Sequence, residues 1–352
     1  MEKQLQVTLT LPLAENLQER LRSVDPRVRL TALSQAQRRQ FRGGRPLWVG
    51  YTEHPVAEAE SDEEARRKLD AALAGTEVLL SSSVLIPEDI LTRAPGLRWI
   101  QLTSAGVDRM LDNPLLRAGV TVTTVSGIHA VPIGEYVLGA MLAFAKGLPR
   151  AARAQAERRW QPYPAEELLG KTVGIIGLGA IGGKVAELAR ALGMRVLAVR
   201  RTAKARETGV SGVDELMPAA ELPYLLSESD YVVVSVPLTP ESRGMIGERE
   251  LRSMRPSAVI INIARGAIID EAALVRALKE SWLAGAALDV FEQEPLPAES
   301  ELWGLENVIV TPHVSGGTPR YMELAMGVFS ENLRRYLAGE PLRNVVDVER
   351  GY

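Results

Sequence analysis

One stretch limits what this chain can fold into more than any other. An apolar run, Thr172-Val-Gly-Ile-Ile176, leads into Gly177-Leu-Gly179-Ala-Ile-Gly182, then into the helical pattern GKVAELARALG, then into a second apolar run, Arg195-Val-Leu-Ala-Val199. Unbroken apolar runs are strands covered on both faces, and a helix between two of them makes the strands parallel. A bare G-x-G-x-x-G is weak, because glycines also make ordinary turns. Between a strand and a helix it is the setting in which a pyrophosphate rests on a helix N-terminus, and in which the middle glycine lets the backbone come close. The expectation is a dinucleotide held at Gly177, Gly179, Ala180, Ile181 and Gly182.

The end of the second run then bears on which dinucleotide. A site for NAD carries an acid there to accept hydrogen bonds from the ribose 2′-hydroxyl. This chain has Arg200 and Arg201, then Thr202 and Lys204, and no carboxylate before Glu207. A guanidinium cannot accept those bonds, but it pairs well with a 2′-phosphate. NADP is therefore expected as the preferred cofactor, with NAD possible. Arg200 is the direct ligand, and Arg201 stacks on adenine or pairs in support. The alternative is a pair of solvated strand-end charges.

The rest of the chain repeats the alternation of strand-like and helix-like runs. QVTL, VRLTAL, EVLLSS, LRWIQLTS and VTVTTV precede an apolar stretch from Pro132 to Lys146; TVGIIGLG, RVLAVRR, YVVVSVPL, AVIINIARG, LAGAALDV and NVIVTPH follow it. The first series reads as one α/β unit and the second as another with six strands. The Pro132–Lys146 stretch is apolar almost all round and is expected to be a buried helix that connects domains or meets another subunit. A final helix is expected from about Pro319 to Leu337. The segment from Gln40 to Asp62, with His54, has no periodicity and reads as a loop or insertion.

Composition excludes several chemistries. There is no cysteine, so disulfides, thiol catalysis and thiolate-held metals are out, and three histidines argue against a histidine metal site. No metal is expected. A net charge of −3 gives no reason to expect nucleic acid or a membrane, and the N-terminus alternates rather than forming a signal core, so a cytoplasmic protein is expected.

Three polar residues each follow an apolar run: Arg265 after IINIA, Glu294 in DVFEQEPLP, and His313 in VIVTPHVSGG. Ligands of open parallel sheets gather at the C-terminal ends of strands, so a shared site is plausible for all three. With these residues in these runs, the chain resembles the NAD(P)-dependent D-2-hydroxyacid dehydrogenase family, in its glyoxylate/hydroxypyruvate reductase-like branch. GLGAIG, VPLTPESRGMIG, INIARGAIIDEAAL, GAALDVFEQEPLP and TPHVSGGT carry the resemblance, with QLTSAGVD and GIHAVPIGEYVLG before them. They cover most of the chain from about Glu77 onward.

The resemblance implies an α/β fold of two parallel-sheet domains, Rossmann-like and flavodoxin-like, with an active-site cleft between them. Residues 1–127 plus 312–352 would bind substrate and 128–311 the dinucleotide. It implies reduction of a small 2-oxo acid, such as glyoxylate or hydroxypyruvate, to the D-2-hydroxy acid. Arg265 would clamp the substrate carboxylate, His313 would be general acid and base, and Glu294 would orient and charge the imidazole. Ser104, Ala105, Gly106 and Val107 resemble the loop whose amides face that carboxylate. Val236, Pro237, Ile263, Ala264, His313 and Gly316 would line the cofactor. Asp289 matches an acid that contacts the nicotinamide carboxamide, or it merely caps its loop. His129 reads as structural, at a domain junction. The resemblance also implies a homodimer through the cofactor domain near Glu135–Trp160, with Trp160 and Tyr163 reaching toward the partner's active site or packing at the interface. Glu294 stands where formate dehydrogenases carry Gln, which argues against that branch, and no regulatory domain is expected after Tyr352. The alternative function is a cofactor-sensing binding protein like the family's corepressor relatives.

Overall fold

The computed structural model describes residues 3–43, 61–107, 110, 113–210 and 212–350. Most of the aperiodic Gln40–Asp62 segment, His54 included, lies outside the described residues. The chain divides into two compact units, Met1–Ile128 with Pro319–Tyr352, and His129–Thr318.

The first unit runs β1 (Leu5–Leu9), α1 (Glu15–Arg22), β2 (Val28–Ala32), α2 (Gln35–Arg42), α3 (Asp62–Ala74), β3 (Val78–Ser81), α4 (Ile90–Arg93), β4 (Trp99–Leu102) and β5 (Thr121–Thr123). The strands form one parallel sheet in the order β2-β1-β3-β4-β5. That is the flavodoxin-like order. β3 and β4 are buried throughout, as the apolar runs require.

The second unit contains α5 (Ala130–Ala145), α6 (Leu148–Ala156), β6 (Thr172–Ile176), α7 (Ala180–Ala191), β7 (Arg195–Val199), β8 (Glu207–Thr208), β9 (Glu215–Met217), α8 (Leu222–Glu228), β10 (Tyr231–Val234), α9 (Glu248–Ser253), β11 (Val259–Asn262), α10 (Glu271–Lys279), β12 (Gly285–Leu288) and β13 (Val308–Val310). Its sheet runs β13-β12-β11-β10-β6-β7-β9-β8, parallel except for the β8–β9 pair. The order reverses between β6 and β10, the switch point at which such sheets bind ligands. The six expected strands are joined by β8 and β9, which extend the edge beyond β7. Both are too short to show a period, so nothing in their sequence announces them. α7 buries Gly182, Val185, Ala186 and Ala189, a single stripe of small residues that lets it lie close to the sheet.

α5 turns Ile133, Val137, Ala140, Met141 and Ala145 to the core. The chain leaves the second unit after Thr318. Residues 313–315 stay because the Asp289 carboxylate accepts the backbone N–H groups of Val314 and Ser315, both at 2.8 Å.

The chain then returns to the first unit in α11 (Tyr321–Ala338). Trp99, fully buried in β4, packs edge-on to Phe329 and stacks on Tyr336 of this helix, with ring centroids 5.4 and 5.3 Å away. No single helix among the described residues is long and apolar enough to cross a membrane.

Candidate active site

The glycine turn sits at the C-terminal end of β6, and its three glycines have three different jobs. Gly177 lies at φ +101°, and a Cβ there would come within 2.7 Å of Val236 Cγ1 and 2.9 Å of the Ser235 carbonyl. A Cβ on Gly182 would overlap the Gly177 carbonyl, so this glycine lets α7 close against the turn. A Cβ on Gly179 would meet nothing within 4 Å. Gly179 and Ala180 are exposed, Ile181 is half-buried, and no side chain caps the α7 N-terminus. The turn thus presents backbone N–H groups and the positive end of a helix to an open space that a side chain at position 179 would fill. This fits a pyrophosphate.

Arg200 begins where β7 ends. The Val199 carbonyl accepts from Gly177 N–H, and Arg200 N–H donates to Met217 O, each at 3.0 Å. The guanidinium Nε of Arg200 is buried with no hydrogen-bond partner. A buried donor left unmatched is costly, and a phosphate oxygen beside the turn would satisfy it. Arg201 is exposed. Glu241, on the loop after β10, is held below the usual carboxylate range, first by the Thr239 hydroxyl and in part by the charge of Arg201. Val236 is half-buried and Pro237 exposed on that same side of β10.

The three polar residues stand after β11, β12 and β13. Asn262, buried at the end of β11, folds the first turn by donating from Nδ2 to Arg265 O (3.0 Å) and accepting from Ala264 N–H (3.1 Å). Ile263 and Ala264 are buried behind it. A Cβ on Gly266 would overlap the backbone of Phe291 and Glu292, so the Arg-Gly pair lets this turn lie directly on the loop that bears Glu294. Glu294 Oε1 accepts from Phe291 N–H at 3.3 Å, and Oε2 lies 2.8 Å from His313 Nδ1. An ionised carboxylate can only accept, so Nδ1 carries the hydrogen and proton exchange falls to Nε2.

Asp289 caps its loop. It is fully buried and accepts from the Thr311 hydroxyl (2.6 Å) as well as from Val314 and Ser315, and so secures the loop that carries His313.

His129 opens the second unit, at the junction expected for it, near the charges of Arg265 and His313. Burial, with the charges of Arg265 and His313 adding to it, holds its imidazole down to about 4. A Cβ on Gly316 would lie 2.9 Å from His129 Cδ2, so Gly316 is small because the imidazole packs on it. Tyr163 turns inward within its own unit, its hydroxyl donating to the Lys146 and Gly147 carbonyls at 3.0 Å, whereas Trp160 is 96% exposed.

In the first unit, Ser104–Val107 follows β4. Ser104 Oγ donates to Ser83 Oγ at 3.2 Å, Ala105 and Gly106 are half-buried, and Val107 is anchored in the core.

A glycine turn at a sheet switch point, with an arginine and a carboxylate-held histidine on the same strand edge, defines a nucleotide-dependent oxidoreductase. The chain belongs to the NAD(P)-dependent D-2-hydroxyacid dehydrogenases. Residues 138–315 match the family described as D-isomer specific 2-hydroxyacid dehydrogenase, NAD binding domain. A glyoxylate reductase of Pyrococcus furiosus is 35% identical over 300 residues, 82% of this chain and 88% of that protein. A D-isomer specific 2-hydroxyacid dehydrogenase of Xanthobacter autotrophicus, solved with NADPH and MES, is 31% identical with a TM-score of 0.77 over 98% of this chain and 99% of its own. An NADPH-dependent glyoxylate/hydroxypyruvate reductase of Sinorhizobium meliloti, solved with NADP and sulfate, is 26% identical at the same TM-score, over 98% of this chain and 99% of its own.

Proposed function

We propose that this chain uses NADPH to reduce a small 2-oxo acid, glyoxylate or hydroxypyruvate, to the D-2-hydroxy acid. The observation that carries the reading is the 2.8 Å pairing of His313 with Glu294 on the sheet edge that also bears the glycine turn. When bound, the reduced nicotinamide supplies the hydride. His313 Nε2 gives the proton to the substrate oxygen and takes it back in the reverse direction. Glu294 fixes the ring and its tautomer through Nδ1. Arg265 holds the substrate carboxylate, because a planar guanidinium matches two oxygens at once. The Ser104–Val107 turn at the C-terminal end of β4 is assigned to the same anion. The cofactor is assigned to the glycine turn, Val236, Pro237, Ile263, Ala264, Asp289 and Gly316.

The orphaned Nε of Arg200 favours NADP over NAD. The working form is a homodimer in the cytoplasm. Val131 on α5, Leu148 on α6 and Trp160 after it are exposed apolar side chains in the region assigned to the second copy.

The test is kcat/KM for NADPH and NADH with glyoxylate and hydroxypyruvate, in wild type and Arg200→Asp. NADPH is expected to win, and the substitution to erode that preference by about tenfold or more, the loss of one charged contact. An NADH preference in the wild type sinks the cofactor assignment. Cofactor-dependent association without turnover on any oxo acid points instead to a nucleotide-sensing binding protein.

A further inference from the structure

The loop that carries His313 is held in a costly shape. His313 lies at φ +54°, in the left-handed region that side chains other than glycine rarely enter. Such a conformation persists only where its surroundings fix it, and the groups that fix it can be traced outward. Asp289 accepts Thr311 and Val314 on Oδ1 and Ser315 on Oδ2. A threonine hydroxyl has one hydrogen, and Thr311 gives it to the carboxylate. In the 2.8 Å contact between Tyr136 and Thr311 the tyrosine must therefore be the donor. Burial, with the charge of Asp289 adding to it, lifts the Tyr136 hydroxyl to about 12, so it keeps its hydrogen at any working pH. The chain has one direction, Tyr136 to Thr311 to Asp289.

Tyr136 is on α5, two helical turns after His129 at its N-terminus, which puts both on one face. That face meets the loop at both ends, Tyr136 at Thr311 and His129 at Gly316. α5 is itself seated on α7. A Cβ on Gly134 would come 2.7 Å from Lys184 Cγ and 3.2 Å from Leu188 Cδ1. The helix that braces the His313 loop is thus packed on the helix that opens from the glycine turn.

We infer that Tyr136 and Thr311 are positioning residues, through which α5 sets the His313 imidazole in register with the glycine turn. The inference rests on the proposed reaction for its kinetic meaning, but the geometry can be read without turnover. Tyr136→Phe keeps the ring and removes the donor; Thr311→Val removes the link, and Thr311→Ser restores it.

With saturating glyoxylate and NADPH, Tyr136→Phe and Thr311→Val are expected to lower kcat by about tenfold to a hundredfold, the scale of a small misplacement of a reacting group. The KM for NADPH should stay within about twofold, because the glycine turn is untouched. Thr311→Ser should recover most of kcat. The second readout is the imidazole nitrogen spectrum of the ¹⁵N-labelled protein, in which only three histidines appear and His313→Gln identifies one of them. The His313 resonances should move in Tyr136→Phe and Thr311→Val and return in Thr311→Ser. An unchanged kcat with unmoved His313 resonances in Tyr136→Phe overturns the inference. If the wild type reduces no 2-oxo acid, the proposed reaction fails and the imidazole spectra alone decide. If Thr311→Val does not fold, Tyr136→Phe carries the test.

Discussion

The glycine turn and the His313 loop lie on one strand edge of the second unit and reach definite shapes by opposite means. The turn is shaped by what is missing: at Gly177 and Gly182 a single added carbon would run into neighbouring atoms, and at Gly179 it would enter the space left for a ligand. The loop is shaped by what is present, a buried carboxylate with three donors and a strained residue between them. On the proposed function the first surface binds the cofactor and need not change during the reaction. The second, on the same proposal, holds a proton donor in one orientation, which packing alone does not specify and directed hydrogen bonds do. Damage to the two should accordingly fail in different parameters.

The largest effect is expected at the loop. His313→Ala removes the proposed proton donor while leaving the glycine turn intact. It should lower kcat by about a thousandfold, within the range of general acid catalysis, with NADPH affinity unchanged by fluorescence titration. Comparable loss of binding and of kcat would mean that the two regions are not separable in this way.

A smaller effect tests the charge environment of the loop. His129 is half-buried against the loop, and the loss of solvent holds it at about 4 instead of 6.5, with Arg265 and His313 both opposing its charge. Because the folded value is lowered, the unfolded chain takes up a proton that the folded chain refuses. The stability tied to His129 is therefore complete above about 6.5 and is lost as pH falls toward 4, by roughly 3 kcal/mol at most. Urea unfolding at pH 7 and pH 4.5 should show wild type losing about 2 to 3 kcal/mol more than His129→Gln over that interval. Equal losses would mean that His129 is not the group that refuses the proton.

The same contrast explains what could be read from the chain. The glycine turn was legible because its constraint is local: Gly177, Gly179 and Gly182 stand between one strand and one helix, and spacing alone carries the message. Arg265, Glu294 and His313 were legible as polar residues closing apolar runs. The brace behind them was not. Tyr136 and Thr311 are separated by 175 positions and meet only because α5 and β13 do, and no periodicity encodes that meeting. His129 was legible as a junction residue, but its nearness to Arg265 and Gly316, which lie far along the chain, was not. β8 and β9 were missed because a two- or three-residue edge strand has no pattern to show.

The smallest effect separates two glycines within the turn itself. At position 182 an added methyl strikes the Gly177 carbonyl, backbone that has no rotamer to yield, and α7 must back away. Gly182→Ala should cost on the order of 2 kcal/mol in folding stability, as overpacking does, and weaken cofactor binding along with it. Position 179 differs, since its backbone, at φ −100° and ψ −154°, is extended and accepts alanine, and the methyl meets no protein atom within 4 Å. Gly179→Ala should leave the unfolding midpoint unchanged and still cost about tenfold in NADPH affinity, the loss of one close charged contact to the backbone. The pair is measured by thermal unfolding without ligand and by NADPH titration. An alanine at 179 that binds NADPH as wild type does would show that the space in front of the turn is not where the pyrophosphate lies.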